Sequence, residues 1–352
     1  MEKASGEDIR KFIIEQVSTN PDDISKVTAE RFGITRQAVH RHLKALVDEG
    51  TLEATGQTRR KRYSLKVQEF EETLSLAENR DEDGVWRTYV EPHLDGLPTN
   101  VLRVCQYGFT EMFNNAIDHS EGSQVAVATR RSAALVELEI GDDGVGIFKK
   151  LRSRFGLEDE RHAILELAKG KLTTDPARHS GEGIFFTSRM FDEFRILSGN
   201  LRFIHEMGRD DWLIEDQAEM TGTAFIMKIS TSCQRTPKEV FDRYANPELD
   251  DYGFSRTHIP LTLAQYGQDQ LVSRSQARRV LERVERFREV CLDFTGVEFI
   301  GQAFADEIFR VFALAHPQVK FVAIGANEDV GRMIGRALAA AKSAGEEPPV
   351  PN

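Results

Sequence analysis

From Asn100 the chain reads NVLRVCQYGFTEMFNNAIDHS. At 100° per residue, Glu111, Asn115, Asp118 and His119 fall within about a quarter turn of one another. Carboxylates, an amide and an imidazole on one helix face are groups that move protons and hold cations. The other face, with Leu102, Cys105, Phe109, Met112, Phe113 and Ala116 at helical spacing, has to be buried. Alternating strand patterns follow over 124–129 and 134–140, and the second runs straight into Gly141-Asp-Asp-Gly-Val-Gly-Ile147. A polar insertion, 148–179, reads as a mobile lid. A second glycine cluster, Ser180-Gly-Glu-Gly-Ile184, then opens a helix over 185–191, and strands resume through 194–229, including Gly222-Thr223. Singly each piece is weak, and their order is the signal.

Taken together, these pieces resemble the GHKL superfamily: gyrase-type ATPases, ninety-kilodalton heat-shock chaperones, histidine kinases, mismatch-repair ATPases and anti-sigma serine kinases. The N box, G1 box, G2 box and final Gly-Thr stand in family order. The resemblance implies a Bergerat-fold α/β two-layer sandwich over 85–235 that binds ATP and Mg²⁺. Within it, Asn115 matches the asparagine that holds Mg²⁺ against the phosphates, a role suited to a hard ion. Asp142 matches the acceptor of the adenine amino group, and Gly144 and Gly146 let backbone approach the nucleotide. Gly181 and Gly183 wrap a lid whose N–H groups meet phosphate, and Thr223 supplies a hydroxyl near the adenine. Glu111 matches the carboxylate that orients or deprotonates attacking water in hydrolysing members. His119 lies beside the nucleotide, while Asp118 replaces a lysine common in histidine kinases. A Rossmann reading fails because no third glycine follows Gly146 at the required spacing. The segment 70–98 is too short and irregular for a histidine-bearing dimerisation bundle, which disfavours a sensor kinase.

The ends of the chain frame this unit. Lys plus Arg number 46 against 57 Asp plus Glu, a net charge of −11, yet residues 1–66 carry +3. Helical spacing over 24–32, a break at Gly33, a Thr35 cap and a helix over 36–48 give helix, turn, helix. The second helix turns Ala38, Val39, Leu43, Leu46 and Val47 inward and Arg36, Gln37, His40, Arg41 and Lys44 outward. A hairpin with a basic tip, Arg59, Arg60, Lys61 and Arg62, follows. This order resembles the winged helix-turn-helix domains of bacterial transcription regulators and implies DNA as a partner, with the wing on phosphates. One such domain covers a half-site, so a homodimer follows by analogy.

Past residue 256, strand and helix patterns alternate. Leu292-Asp-Phe-Thr-Gly-Val-Glu-Phe-Ile300 ahead of a helix resembles STAS domains, which act as anti-anti-sigma factors beside GHKL serine kinases, and implies a regulatory protein partner. Where phosphorylatable members have serine, this chain has Gly301-Gln302-Ala303. Thr295 reads as a brace for the turn, and Asp306 and Glu307 as solvated or partner-facing. Cys105, Cys233 and Cys291 form no C-x-x-C pair and read as buried hydrophobes. No apolar run spans a bilayer and the first residues lack a signal-peptide pattern, so a cytoplasmic protein without membrane contact is expected.

The expected architecture is therefore multidomain α+β: a winged helix-turn-helix (1–68), a linker (69–84), the GHKL ATP-binding domain (85–235), a linker (236–256), a small STAS-like α/β domain (257–342) and a loose tail (343–352). The expected function is an ATP-gated DNA-binding transcription regulator with slow Mg-dependent ATP hydrolysis. The alternatives are an anti-sigma-type protein serine/threonine kinase acting on a separate protein, and an ATP-bound scaffold that never turns over.

Overall fold

A computed structural model describes residues 4–57, 61–173, 180–209, 211–246, 251–265 and 270–345. The N-terminal unit is three helices, α1 (Gly6–Gln16), α2 (Ile24–Phe32) and α3 (Arg36–Asp48), closed by an antiparallel hairpin of β1 (Leu52–Thr55) and β2 (Arg62–Leu65). Local signals set its boundaries. Gly33 ends α2 in the left-handed region at φ 64°, and the Thr35 side chain accepts from the Ala38 N–H to start α3. Ile9, Ile13, Ile24, Val39, Leu43, Leu46 and Tyr63 bury against one another as a separate core.

The middle of the chain builds a five-stranded antiparallel sheet in the order β3-β4-β5-β7-β6. Its strands are β3 (Gln68–Ser75), β4 (Gln124–Arg131), β5 (Leu135–Asp142), β6 (Glu193–Glu206) and β7 (Trp212–Ser230). The helices are α4 (Glu82–Val85), α5 (Thr99–His119), α6 (Ile147–Phe155), α7 (Glu160–Lys169) and α8 (Gly183–Met190). The stretch expected as the first linker thus contains β3, which pairs with β4 over its whole length. Its solvent face carries glutamates, which hides the alternation, and its backbone is satisfied from one side as an edge strand.

The second expected linker is ordered too. There α9 (Pro237–Tyr244), opened by a Thr236–Glu239 capping box, leads to β8 (Ala245–Asn246) and β9 (Asp251–Phe254). Its sparse aromatics fill a junction: the Phe254 ring lies 4.4 Å from Phe185, 5.1 Å from Phe186 and 5.2 Å from Phe287.

A parallel sheet, β10-β11-β12, follows, made of β10 (Arg256–Pro260), β11 (Glu289–Asp293) and β12 (Lys320–Ile324). α10 (Arg274–Leu281) joins the first two strands. The second crossover is α11 (Gln302–Asp306), a wider turn and α12 (Ala313–Ala315), and α13 (Glu328–Gly345) ends the described chain. α10 stops short of the helix expected over 273–287, because Glu282 leaves the helical region at ψ 126° and Arg283 then takes φ 64°. The middle and C-terminal units share one continuous core, from Leu74 to Ala337. Cys105 and Cys233 are buried as expected, and Cys291 is half-buried.

Candidate functional site

α5 buries Val104, Cys105, Phe109, Met112 and Phe113 against the sheet. Its opposite face forms one wall of a cavity of about 260 Å³, to which Glu111, Asn114, Asn115 and His119 contribute. The Asn115 amide nitrogen donates to the Glu111 carbonyl at 2.8 Å, so its oxygen is the atom left for the cavity. Asp118 is exposed and stays outside the wall. Wheel angle places it with Asn115, but the wheel gives direction and not depth.

The end of β5 delivers Asp142 to the same cavity. Burial pushes its carboxyl up, against the pull of the Gly144 and Thr223 backbone N–H groups; the Gly144 bond measures 2.9 Å. Gly144 itself lies off the cavity wall. A Cβ there would sit 2.0 Å from the Ser120 carbonyl oxygen, so this glycine serves the close approach of the turn to α5. Gly146, at φ 86°, does line the cavity. The Thr223 hydroxyl is buried and accepts from the Ile147 N–H at 2.9 Å, tying β7 to the start of α6. The Gly-Thr pair has a steric reason. A Cβ on Gly222 would fall 1.8 Å from the Asp142 carbonyl oxygen.

The segment around Ser180, Gly181 and Gly183 closes the opposite side. A Cβ on Gly183 would meet a Glu111 carboxylate oxygen at 2.0 Å, which places that carboxylate against the opening turn of α8. Gly181, at φ 74°, runs against the Leu172 backbone. Nearby, burial first and then Glu111 and Glu182 push the Tyr107 hydroxyl up.

The cavity therefore gathers Glu111, Asn115, His119, Asp142, Gly146, Gly181, Gly183 and Thr223 from four separated segments. It also holds residues that spacing did not point to. Lys150 of α6 donates to the His119 carbonyl at 2.7 Å and to Glu121 at 2.8 Å. Asn114 and Ser180 add polar atoms, and Ile147, Leu151, Leu167 and Phe225 supply apolar wall. Asn114, beside Asn115, and Ile147 and Ser180, at the ends of the two glycine-rich motifs, carried a signal by adjacency; the others carried none. The region expected as a mobile lid contains α6 and α7, with Leu167 and Leu172 on the cavity wall; residues 174–179 lie outside the described chain.

On the N-terminal unit, Arg36, Gln37, His40, Arg41 and Lys44 are all exposed on one side of α3. Lys61 and Arg62 are exposed at the hairpin, with the Lys61 ammonium 5.3 Å from the Tyr63 ring centroid. Arg59 and Arg60 lie outside the described residues.

In the C-terminal unit the Thr295 N–H donates to Asp293 at 2.9 Å within the turn after β11. Gly301 opens α11, and a Cβ there would lie 2.7 Å from Val272 backbone, which explains the lack of a larger residue. Asp306 pairs with Arg310 at 2.5 Å. Glu307, expected as solvated or partner-facing, is instead buried and bonded to Arg278 at 2.7 Å.

Residues 276–330 match a family model described as a STAS-like domain of unknown function (DUF4325). A comparison of the chain with curated proteins finds no match. Among the described residues no helix is long and apolar enough to cross a membrane.

Proposed function

We propose that the chain is a cytoplasmic ATP-binding regulator of the GHKL type. Its middle domain holds Mg-ATP, its winged helix binds DNA, and the nucleotide state sets the DNA affinity. The observation that carries this reading is the single cavity in which the N-box helix, the acidic end of β5, the Ser180–Gly183 segment and Thr223 meet.

The residues suit the ligand. Asp142 offers an acceptor for the adenine amino group, set in a half-buried site where such a bond counts. Asn115 and Glu111 present oxygen atoms, the donor type a hard divalent ion selects, and Asn115 would hold Mg²⁺ beside the phosphates. Bound there, the ion would neutralise phosphate charge. Glu111 would take a proton from attacking water, and the opening N–H groups of α8 would face anionic oxygens. Coupling to DNA requires differential affinity, and a tenfold change corresponds to about 1.4 kcal/mol.

The test is ATP binding and phosphate release by wild type, Asn115→Ala and Glu111→Ala with Mg²⁺, with and without DNA. Wild type should bind and slowly hydrolyse ATP, Asn115→Ala should lose binding, and Glu111→Ala should bind without turnover. DNA affinity should follow the nucleotide state. If nucleotide binds while neither turnover nor DNA affinity responds, the gated regulator gives way to the kinase or scaffold alternative.

A further inference from the structure

α7 has two working faces. One face, with Leu167 and the following Leu172, forms cavity wall. The other carries Glu166 and Lys169, which are 2% and 1% exposed, into the C-terminal unit. There the Lys169 ammonium binds the Glu166 carboxylate and donates to the carbonyls of Arg279 at 3.1 Å and Glu282 at 3.0 Å. Those carbonyls lie at the C-terminal end of α10, where a helix leaves acceptors unpaired. Arg283, turned inward by its positive φ, donates to the second Glu166 oxygen at 2.9 Å. The Lys169 carbonyl in turn accepts from the Thr257 hydroxyl of β10 at 2.6 Å.

The charges are matched inside the cluster. Burial works against the Glu166 carboxylate, yet Lys169, His162 and Arg283 hold its pKa at about 2. His162, Glu166 and Glu282 bring possible ligand atoms within 4.8 Å of one another. Lys169 and Arg283 already occupy both Glu166 oxygens, however, so side-chain cations close the cluster without a metal ion. A buried cluster of this kind is all or none, because removing one partner strands the others in a medium that does not solvate them.

We infer that Glu166, Lys169 and Arg283 form a latch through which the STAS-like domain holds the wall of the nucleotide cavity. Docking of that domain and nucleotide binding then form one coupled equilibrium. The inference rests on the nucleotide reading of the cavity. Docking keeps Leu167 and Leu172 in place, so the docked state binds nucleotide better. By reciprocity bound nucleotide tightens docking. The occupancy of a cavity in the middle sheet thereby becomes readable on the C-terminal unit, the part of the chain that matches a STAS-like family.

Two readouts on the full chain test this. In wild type, saturating Mg-ATP should slow amide hydrogen exchange across 274–283 several-fold. Lys169→Met should weaken Mg-ATP binding about tenfold, within the usual range of such couplings, and Arg283→Gln should weaken it less, although neither residue lines the cavity. Unchanged exchange in wild type with ATP bound, or wild-type affinity in a folded Lys169→Met, overturns the latch alone. If wild type binds no ATP, the nucleotide reading fails and the latch falls with it. Should Lys169→Met not fold, wild-type exchange and Arg283→Gln still decide.

Discussion

The N-terminal helices and hairpin close on apolar residues of their own, whereas the middle sheet and the STAS-like unit share one core and a buried ion cluster. Between β2 and β3 the connection is two residues, Lys66 and Val67. At the other junction Phe185, Phe186, Tyr244, Phe254 and Phe287 interlock. The difference assigns mechanical roles. A unit with its own core on a short tether reorients as a rigid body, while units sharing a core change together. The N-terminal unit is therefore joined to the middle sheet through β3, the edge strand next to β4.

The largest effect should come from breaking the shared core. Phe254→Ala removes a ring that is 5% exposed and touches both units, at a cost of about 3–5 kcal/mol. Calorimetry of the full chain should show one transition, for the middle and C-terminal units together, moving down while the N-terminal transition holds. Two separate transitions for those units would show that the core is not cooperative across the junction. Leu43→Ala, fully buried in the N-terminal core, should cost about 2–5 kcal/mol and act in reverse. It should lower the N-terminal transition alone and weaken DNA binding, with ATP binding unchanged. Loss of ATP binding would mean that the N-terminal core also supports the cavity through the tether.

The same contrast governs what could be read from sequence. The spans 24–32 and 36–48 match α2 and α3 to the residue, because Gly33 and Thr35 act within one turn of the ends they define. β3 was hidden by its exposed glutamates, and 236–256 by aromatics whose partners lie far along the chain. At the cavity, Glu111, Asn115 and His119 could be found because helical angle places them on one face, and Asp142 and Thr223 because their short motifs stand in the order of the family that the chain resembles. Asp118 and Gly144 could not be sorted from them, since depth depends on what packs nearby. Lys150, Leu167 and Leu172 belong to helices positioned by docking. For Lys169 the partners are carbonyls more than a hundred residues away, and no periodicity announces them.

The smallest effect sharpens the comparison through pH. Burial raises the Asp142 carboxyl from its ordinary 3.8, so the native state holds that proton more tightly than the unfolded chain does. The protonated form thus contributes stability in acid, and that contribution is lost as pH rises from about 3.8 through the raised native value. Above this window the ligand-free protein carries the cost of a half-buried carboxylate. Asp142→Asn removes the charge and keeps an acceptor for the Gly144 N–H, so at neutral pH it should raise the shared transition by the order of 0.5–1 kcal/mol. At the acid end of the window it should change nothing, and the N-terminal transition should not respond at any pH. The same variant should bind ATP more weakly, because an amide is a poorer acceptor than a carboxylate for the adenine amino group. Thermal melts across pH with and without Mg-ATP check both arms. A fall of the shared transition at neutral pH would reverse the sign and show that the carboxylate, not the acid, is the form the fold prefers.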